Sequence, residues 1–459
     1  FSAYALRQAI VEALVHQAEQ IAALQAELDA LTGGADRSVA AIFIQARAAL
    51  DEGRLAEADR LLAQVSRSDL AAIQQADAEV ERRRLRAGET IGGRGRLAFV
   101  QADYLAAADH FARAAETVPQ TAVEVRWAYL VWRAHAAYDR GRIFVELDRL
   151  REAVRIYQEA LSLVSRTAAP ADWASTQLNL GAALRVLGER GERSAPRAAV
   201  EAYEAALTAL DRRRDAALWA TTQMNLGNAL SDIGGANELA QAVRCYQAAL
   251  SVFDRARDAR LWAAAQMNLG NALSDLGEQG DHAALPHAIA AFEAALTVFV
   301  RARDPENWAS VQDNLGVALR ILSRGNDPAA LARAIAAHEA ALTVRTRAQD
   351  PNAWAATQVN LGIALAMSAQ TANAPSLARA VAAFEAALAV RTRAQDPQGW
   401  AEAQFNLALA HRVRLYLGDA SARALALAAA RAALSGFEEI GHASRVALAR
   451  RLIADLERA

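Results

Sequence analysis

The 459-residue sequence predicts an all-α fold, a solenoid of helix–turn–helix repeats. Three observations carry this. A Trp-led segment, W-A-x-x-Q-x-N-L-G-x-A-L, opens at Trp173, Trp219, Trp262, Trp308, Trp354 and Trp400, with the last copy departing at Ala408 and His411. The spacings are 46, 43, 46, 46 and 46 residues, and a fixed period of this size marks units that bury a core by stacking on their neighbours. Four of the six copies are followed by A-x-x-x-[YF]-x-x-A-L, as in Ala199, Tyr203, Ala206 and Leu207 or Ala288, Phe292, Ala295 and Leu296. Offsets of 4, 3 and 1 put these apolar groups on one face of a helix.

Taken in order, Ala3–Leu31 lacks Gly and Pro. Ile10, Leu14, Gln17, Ile21, Leu24, Leu28 and Leu31 lie alternately four and three apart, a heptad seam with one polar position. Gly33-Gly34 ends it. Residues 1–34 are read either as a short coiled coil, or stalk, that sets oligomeric state, or as a helix capping the first repeat. Residues 35–126 form an irregular helical region. Arg37–Leu50 and Arg54–Val65 pair around Gly53, Asp69–Arg86 is helical, and Thr90–Val100 pairs with Tyr104–Val118. The run Glu81-Arg82-Arg83-Arg84-Leu85-Arg86 reads as a solvated face. Gly92-Gly93-Arg94-Gly95 is not a phosphate loop, because no strand precedes it and no Lys follows.

The array proper spans 127–441. Trp127 stands 46 residues before Trp173 and opens a degenerate seventh copy that lacks the Gln and Asn. The first helix of each copy is expected to start at its Trp. Gly188, Gly234 and Gly277 are placed in the loops that follow, because Gly best tolerates the left-handed conformation after a helix end. Asp304-Pro305, Asp350-Pro351 and Asp396-Pro397 announce the next helices, Asp as cap and Pro in the first turn. In the last copy Ala430 replaces the aromatic residue. Ser444–Arg458 is an amphipathic helix suited to closing the end, within a capping segment 442–459.

The pair L-G-x-x-[L/Y] and A-x-x-x-[Y/F]-x-x-A resembles the tetratricopeptide repeat from about Thr90 to the C-terminus. The 46-residue period is similar to the long-repeat bacterial form of the kinesin light chain class. The resemblance implies a right-handed superhelical solenoid that binds a protein or peptide in its concave groove. It also implies that the recurring first-helix Asn faces that groove, where an amide can hold a peptide backbone or a terminal carboxylate.

Composition narrows the chemistry. The chain carries 50 basic and 52 acidic residues, with a net charge of −2, which argues against nucleic-acid or membrane-surface binding. It contains no Lys, which removes the lysines of P-loops, Schiff bases and protein kinases. The single Cys245 reads as a small packing residue. Asn352–Ala378 is uncharged and long enough to raise the membrane question, but Gln358 and Asn360 interrupt it and charged copies align with it. No signal-peptide pattern opens the chain at Phe1, and a cytoplasmic location is expected. His282 and His287 are too few for a metal site, and His338 takes the place of a packing aromatic. No catalytic, cofactor or metal residues are assigned, and an enzyme is only a remote alternative.

Asn179, Asn225, Asn268, Asn314, Asn360 and Asn406 each sit six after the Trp, and a Gln sits four after it. Asn disfavours helix interiors, so the row needs a cause. One is structural, a bond to the adjacent repeat that satisfies a buried group. The other is ligand binding, since an amide both donates and accepts. Residues three and six beyond each Asn share its face, including Arg185, Asn228, Asn271 and Arg320. The partner-binding candidates are therefore Asn179, Arg185, Asn225, Asn228, Asn268, Asn271, Asp313, Asn314, Arg320 and Asn360, with Asp313 and the two Arg selecting charge. The expected function is a scaffold or sensor, the recognition region of a larger bacterial signalling or defence protein. The alternative is self-assembly through the N-terminal helix or the solenoid ends.

Overall fold

A computed structural model describes residues 3–324, 327–369 and 374–459, with the backbone alone for residues 3–17 and 374. It contains nineteen α-helices and no strand among the described residues. Phe1–Tyr129 and Leu130–Ala459 are two compact units.

The first unit contains α1 (Ala3–Gly34), α2 (Arg37–Asp51), α3 (Leu55–Val100), α4 (Tyr104–Thr117) and the start of α5 (Val123–Phe144). Asp36 caps α2, its carboxylate accepting from the backbone N–H of Ser38 at 2.9 Å and Val39 at 3.0 Å. Leu28 of α1 is buried with Phe43, Ala46 and Leu50 of α2 and Ala58 and Val65 of α3. Leu24 packs against this cluster and Leu31 is exposed. Ile10, Leu14 and Gln17 of the heptad seam lie outside the described side chains.

One element overturns the sequence expectation. Arg54–Val65, Asp69–Arg86 and Thr90–Val100 are not separate helices but one 46-residue helix, α3. Gly88, Gly92 and Gly95 lie inside it and serve close packing. A Cβ on Gly95 would stand 2.8 Å from Phe111, and Gly92 faces the Tyr129 ring. Between the part packed on α2 and the part packed on α4, residues 66–78 are all exposed.

The second unit continues α5 into α6 (Leu147–Leu163) and then stacks helix pairs. These are α7 (Pro170–Glu189) with α8 (Ala195–Leu207), and α9 (Ala216–Ile233) with α10 (Ala236–Leu250). Next come α11 (Ala259–Glu278) with α12 (Leu285–Leu296), and α13 (Pro305–Ser323) with α14 (Pro328–Leu342). The last pairs are α15 (Pro351–Ala369) with α16 (Ala374–Leu388), and α17 (Pro397–Tyr416) with α18 (Ala422–Glu439). α19 (Ala443–Arg458) closes the series by burying Leu452 and Leu456. Each helix packs on its pair mate and on the next pair. No helix among the described residues is long and apolar enough to cross a membrane.

First helices begin three residues before their Trp rather than at it, as Pro170 and Trp173 or Pro305 and Trp308 show. Asp350 and Asp396 cap the backbone N–H groups of Ala353 and Gly399 at 2.9 and 2.8 Å. Asp304 does not cap but pairs with Arg260 at 2.7 Å. Of the three loop glycines, only Gly234 lies beyond its helix, at φ 77°. Gly188 and Gly277 are the penultimate residues of α7 and α11 and pack against Pro196 and Leu285.

The pair interior is one recurring lock. The motif Gly receives the second-helix aromatic so closely that a Cβ would stand 2.7 Å from Tyr203, Tyr246, Phe292 and Phe384 at Gly181, Gly227, Gly270 and Gly362. Trp219, Trp262 and Trp400 pack in the apolar clusters between pairs, each covered by an Arg guanidinium 5.3–5.6 Å from its ring. The Arg212 arm over Trp219 continues to Ser251 of the next pair, 2.8 Å away.

Candidate functional site

Helix geometry puts the Asn six after each Trp, and the residues three and six beyond it, on one face of the first helices. Most of these side chains are half-buried; Arg320 and Ser274 are buried, as is Asp313 next to Asn314. Neighbouring pairs are tied along this face by amide bonds. Asn268 donates from Nδ2 to Asn228 Oδ1 at 2.9 Å, and Asn314 to Asn271 Oδ1 at 2.9 Å. Asn228 Oδ1 also accepts from the Tyr246 hydroxyl at 2.8 Å. Asn228, Asn268, Asn271 and Asn314 thus bridge repeats. Among the described residues, no side-chain hydrogen bond involves Asn179 or Asn225.

The pattern changes where the partner residue changes. Val317 stands where Asn228 and Asn271 stand in earlier pairs and offers no acceptor. Asn360 turns instead to Asp313, one helical turn back, at 3.3 and 3.4 Å from its two oxygens. Asp313 is 5% exposed and sits among donors. His338 Nδ1 is 2.7 Å from Oδ1, and Arg345 Nη1 is 3.1 Å from Oδ2. Arg345 also donates to Thr357 Oγ1 and Ser310 Oγ, both at 2.8 Å. A carboxylate only accepts, so His338 carries its proton on Nδ1. Its Nε2 and the Arg345 Nε are buried without a partner. Burial pushes the Asp313 carboxyl up, but the His338 bond, the charges of His338 and Arg345 and the Asn360 amide outweigh it and hold it below the usual range.

His338, Arg345, Ser310 and Thr357 were not among the residues singled out for this site. Their signal was departure from the repeat. Asp313 replaces Leu178, Met224, Met267, Val359 or Phe405, and His338 replaces the aromatic that fills the Gly pocket. Arg345 replaces Leu210, Phe253 or Phe299. The next copy also has an Arg there, Arg391, but no Asp on its first helix, and Arg391 reaches Asp396 at 3.4 Å.

The two charge selectors differ. Arg185 is paired, with Glu189 on its own helix and with Asp232 of the next pair at 3.3 Å. Arg320 is 9% exposed, and among the described residues its one carboxylate neighbour is Glu278 at 3.8 Å. Glu278 makes a closer pair with Arg324, at 2.9 Å, and Arg320 Nε is buried without a partner. Burial lowers the Arg320 guanidinium from its ordinary value, Glu278 opposes this and Arg324 adds to it.

Elsewhere, burial pushes the Cys245 thiol up to about 11, away from the thiolate a nucleophile needs. Arg82 and Arg83 pair with Glu79 on the face of α3. Among the described residues, no three His, Cys, Asp or Glu side chains come together as a metal site.

Comparison with protein-family models and with curated proteins found no match. Among solved structures, the chain is similar to the apo form of RapI, at 12% identity and TM-score 0.47, over 81% of this chain and 98% of that one. It is similar to the apo form of the quorum sensor NprR from B. thuringiensis, at 12% identity and TM-score 0.48, over 80% and 98%. It is similar to the TPR domain of P58(IPK), at 11% identity and TM-score 0.24, over 81% and 100%. All three TM-scores fall below 0.5, so the helical-repeat architecture stands on the chain's own paired helices.

Proposed function

We propose that this chain is a protein-binding scaffold that takes an acidic peptide or partner loop along the first-helix face between Arg185 and Arg320. The observation that carries this is the Arg320 guanidinium. It is buried, its Nε has no partner, and it shares a distant Glu278 with Arg324. A buried cation with so little pairing gains from any carboxylate that reaches it, because charge-assisted hydrogen bonds are among the strong ones. Asn268 and Asn314 hold the repeats in register beneath the ligand, which leaves Asn179 and Asn225 as the open amides at the start of the row. In this reading the chain is the recognition region of a larger bacterial signalling or defence protein, a long-repeat tetratricopeptide array like the kinesin light chain class, working in the cytoplasm.

A displayed peptide library selected on the whole chain tests this. Enriched peptides should carry Asp, Glu or a free C-terminus at one fixed place. Arg320→Gln should weaken the best of them by about tenfold or more, the scale of a lost charged hydrogen bond, while melting as the parent does. Enrichment of uncharged peptides, or equal binding by Arg320→Gln, would remove the reading. A second reading, self-association, is favoured by Leu70, Ile73 and Val80, which stand 56–58% exposed along α3.

A further inference from the structure

We propose that the Asp313–His338–Arg345 cluster is a yield point built into the repeat stack, dividing the second unit into two blocks that open separately at the α14–α15 junction. The apolar core shows the division. One buried cluster includes residues from Ala199 of α8 to Ala334 of α14, with smaller clusters at the Trp ends of these pairs. A second runs from Ala355 of α15 to Leu456 of α19. The break falls where three apolar positions of the repeat have become Asp313, His338 and Arg345.

Across the break the first-helix contacts are polar. Asn360 reaches Asp313, and Arg345 holds Thr357 on one side and Ser310 and Asp313 on the other. The apolar crossing includes Ile335 and Leu342, both only partly buried. Repeat arrays behave as stacks whose cooperativity depends on each interface in turn. A buried ion pair recovers little more than its desolvation, where an apolar joint would contribute outright. The same groups demand fixed geometry, so the joint is well defined when closed and weak when pulled. Two orphaned nitrogens, His338 Nε2 and Arg345 Nε, add to that weakness.

Native-state hydrogen exchange of the whole chain under rising denaturant tests this. Amides of α7–α14 and those of α15–α19 should exchange through two separate openings, with the boundary between α14 and α15. One shared opening across α7–α19 would overturn the proposal without any variant. The triple variant Asp313→Met, His338→Phe, Arg345→Phe installs the residues of the Trp262 copy, Met267, Phe292 and Phe299. It should merge the two openings into one, and two unchanged openings would overturn the proposal. Asp313→Asn keeps the side-chain volume and leaves Arg345 uncompensated, so it should widen the gap between the blocks. A uniform loss of protection across both would overturn the proposal as well.

Discussion

A carboxylate as buried as Asp313 survives because three side chains reach it, and its removal should reveal how much those side chains depend on it. Asp313→Asn leaves Arg345 buried without its counter-charge. Breaking a buried pair from one side costs about 3–5 kcal/mol, and that loss should appear in denaturant unfolding at neutral pH. The sign with pH follows from linkage. The folded carboxyl lies below its ordinary value of 3.8, so its stabilisation is complete above that value and is lost as pH falls through the lower, folded one. The gap between parent and Asp313→Asn should therefore be constant from neutrality down to about pH 5 and close as the solution is acidified further. A gap that stays constant below pH 3.8 would show that the carboxylate is not what Arg345 needs. This residue also marks how far the sequence could be read. Asp313 stood out as a charge in an apolar row, but His338 and Arg345 lie 25 and 32 residues away. His338 reads as a packing residue on its own helix and Arg345 lies beyond the end of α14, so only the stacking of pairs makes them one cluster.

Among the elements, glycines in helices serve two purposes that substitution should separate. Gly270 receives Phe292, and a Cβ there would stand 2.7–2.8 Å from three ring atoms. Gly93, on the same kind of straight helix in α3, has no neighbour nearer than the end of the Arg96 side chain at 3.9 Å. Gly93→Ala should raise stability by up to about 1 kcal/mol through helix propensity alone. Gly270→Ala gains the same propensity but forces the ring to move, at about 1–3 kcal/mol, and should come out neutral to destabilising. Paired thermal melts of the two variants check this, and equal shifts would mean that the aromatic lock carries no strain. The locks were legible because they recur at a fixed spacing, and repetition turns a weak pattern into a firm one. The course of α3 was not legible. The helical pattern in the sequence leaves gaps after Val65 and after Arg86, and only the rings of Tyr129 and Phe111 and the Val118 side chain explain Gly88, Gly92 and Gly95 as room for neighbours inside one helix. The Asn row was legible as a row, while its division into bridging and open members depended on whether the preceding pair offered an acceptor.

For the whole molecule the open question is whether one chain is the working unit. Balanced charge and the absence of Lys leave a surface of Arg, Asp and Glu that can complement itself. The middle of α3 is one place where the first unit leaves apolar groups uncovered. Leu70, Ile73 and Val80 lie three and seven residues apart on a stretch that neither α2 nor α4 covers. A single exposed helix of this length gains little stability from propensity alone, so a second helix laid on that stripe would stabilise it. Acidic Asp69 and Asp77 precede basic Arg82 and Arg83 along the stretch, an order that favours an antiparallel copy of itself. Sedimentation equilibrium across a concentration series should then show a dimer that Ile73→Glu returns to the monomer. Removal of residues 1–34 should leave this dimer intact if α3 is the contact, and should abolish it if the heptads of α1 are. A monomer at every concentration would end the self-association reading and leave the stripe for a different protein.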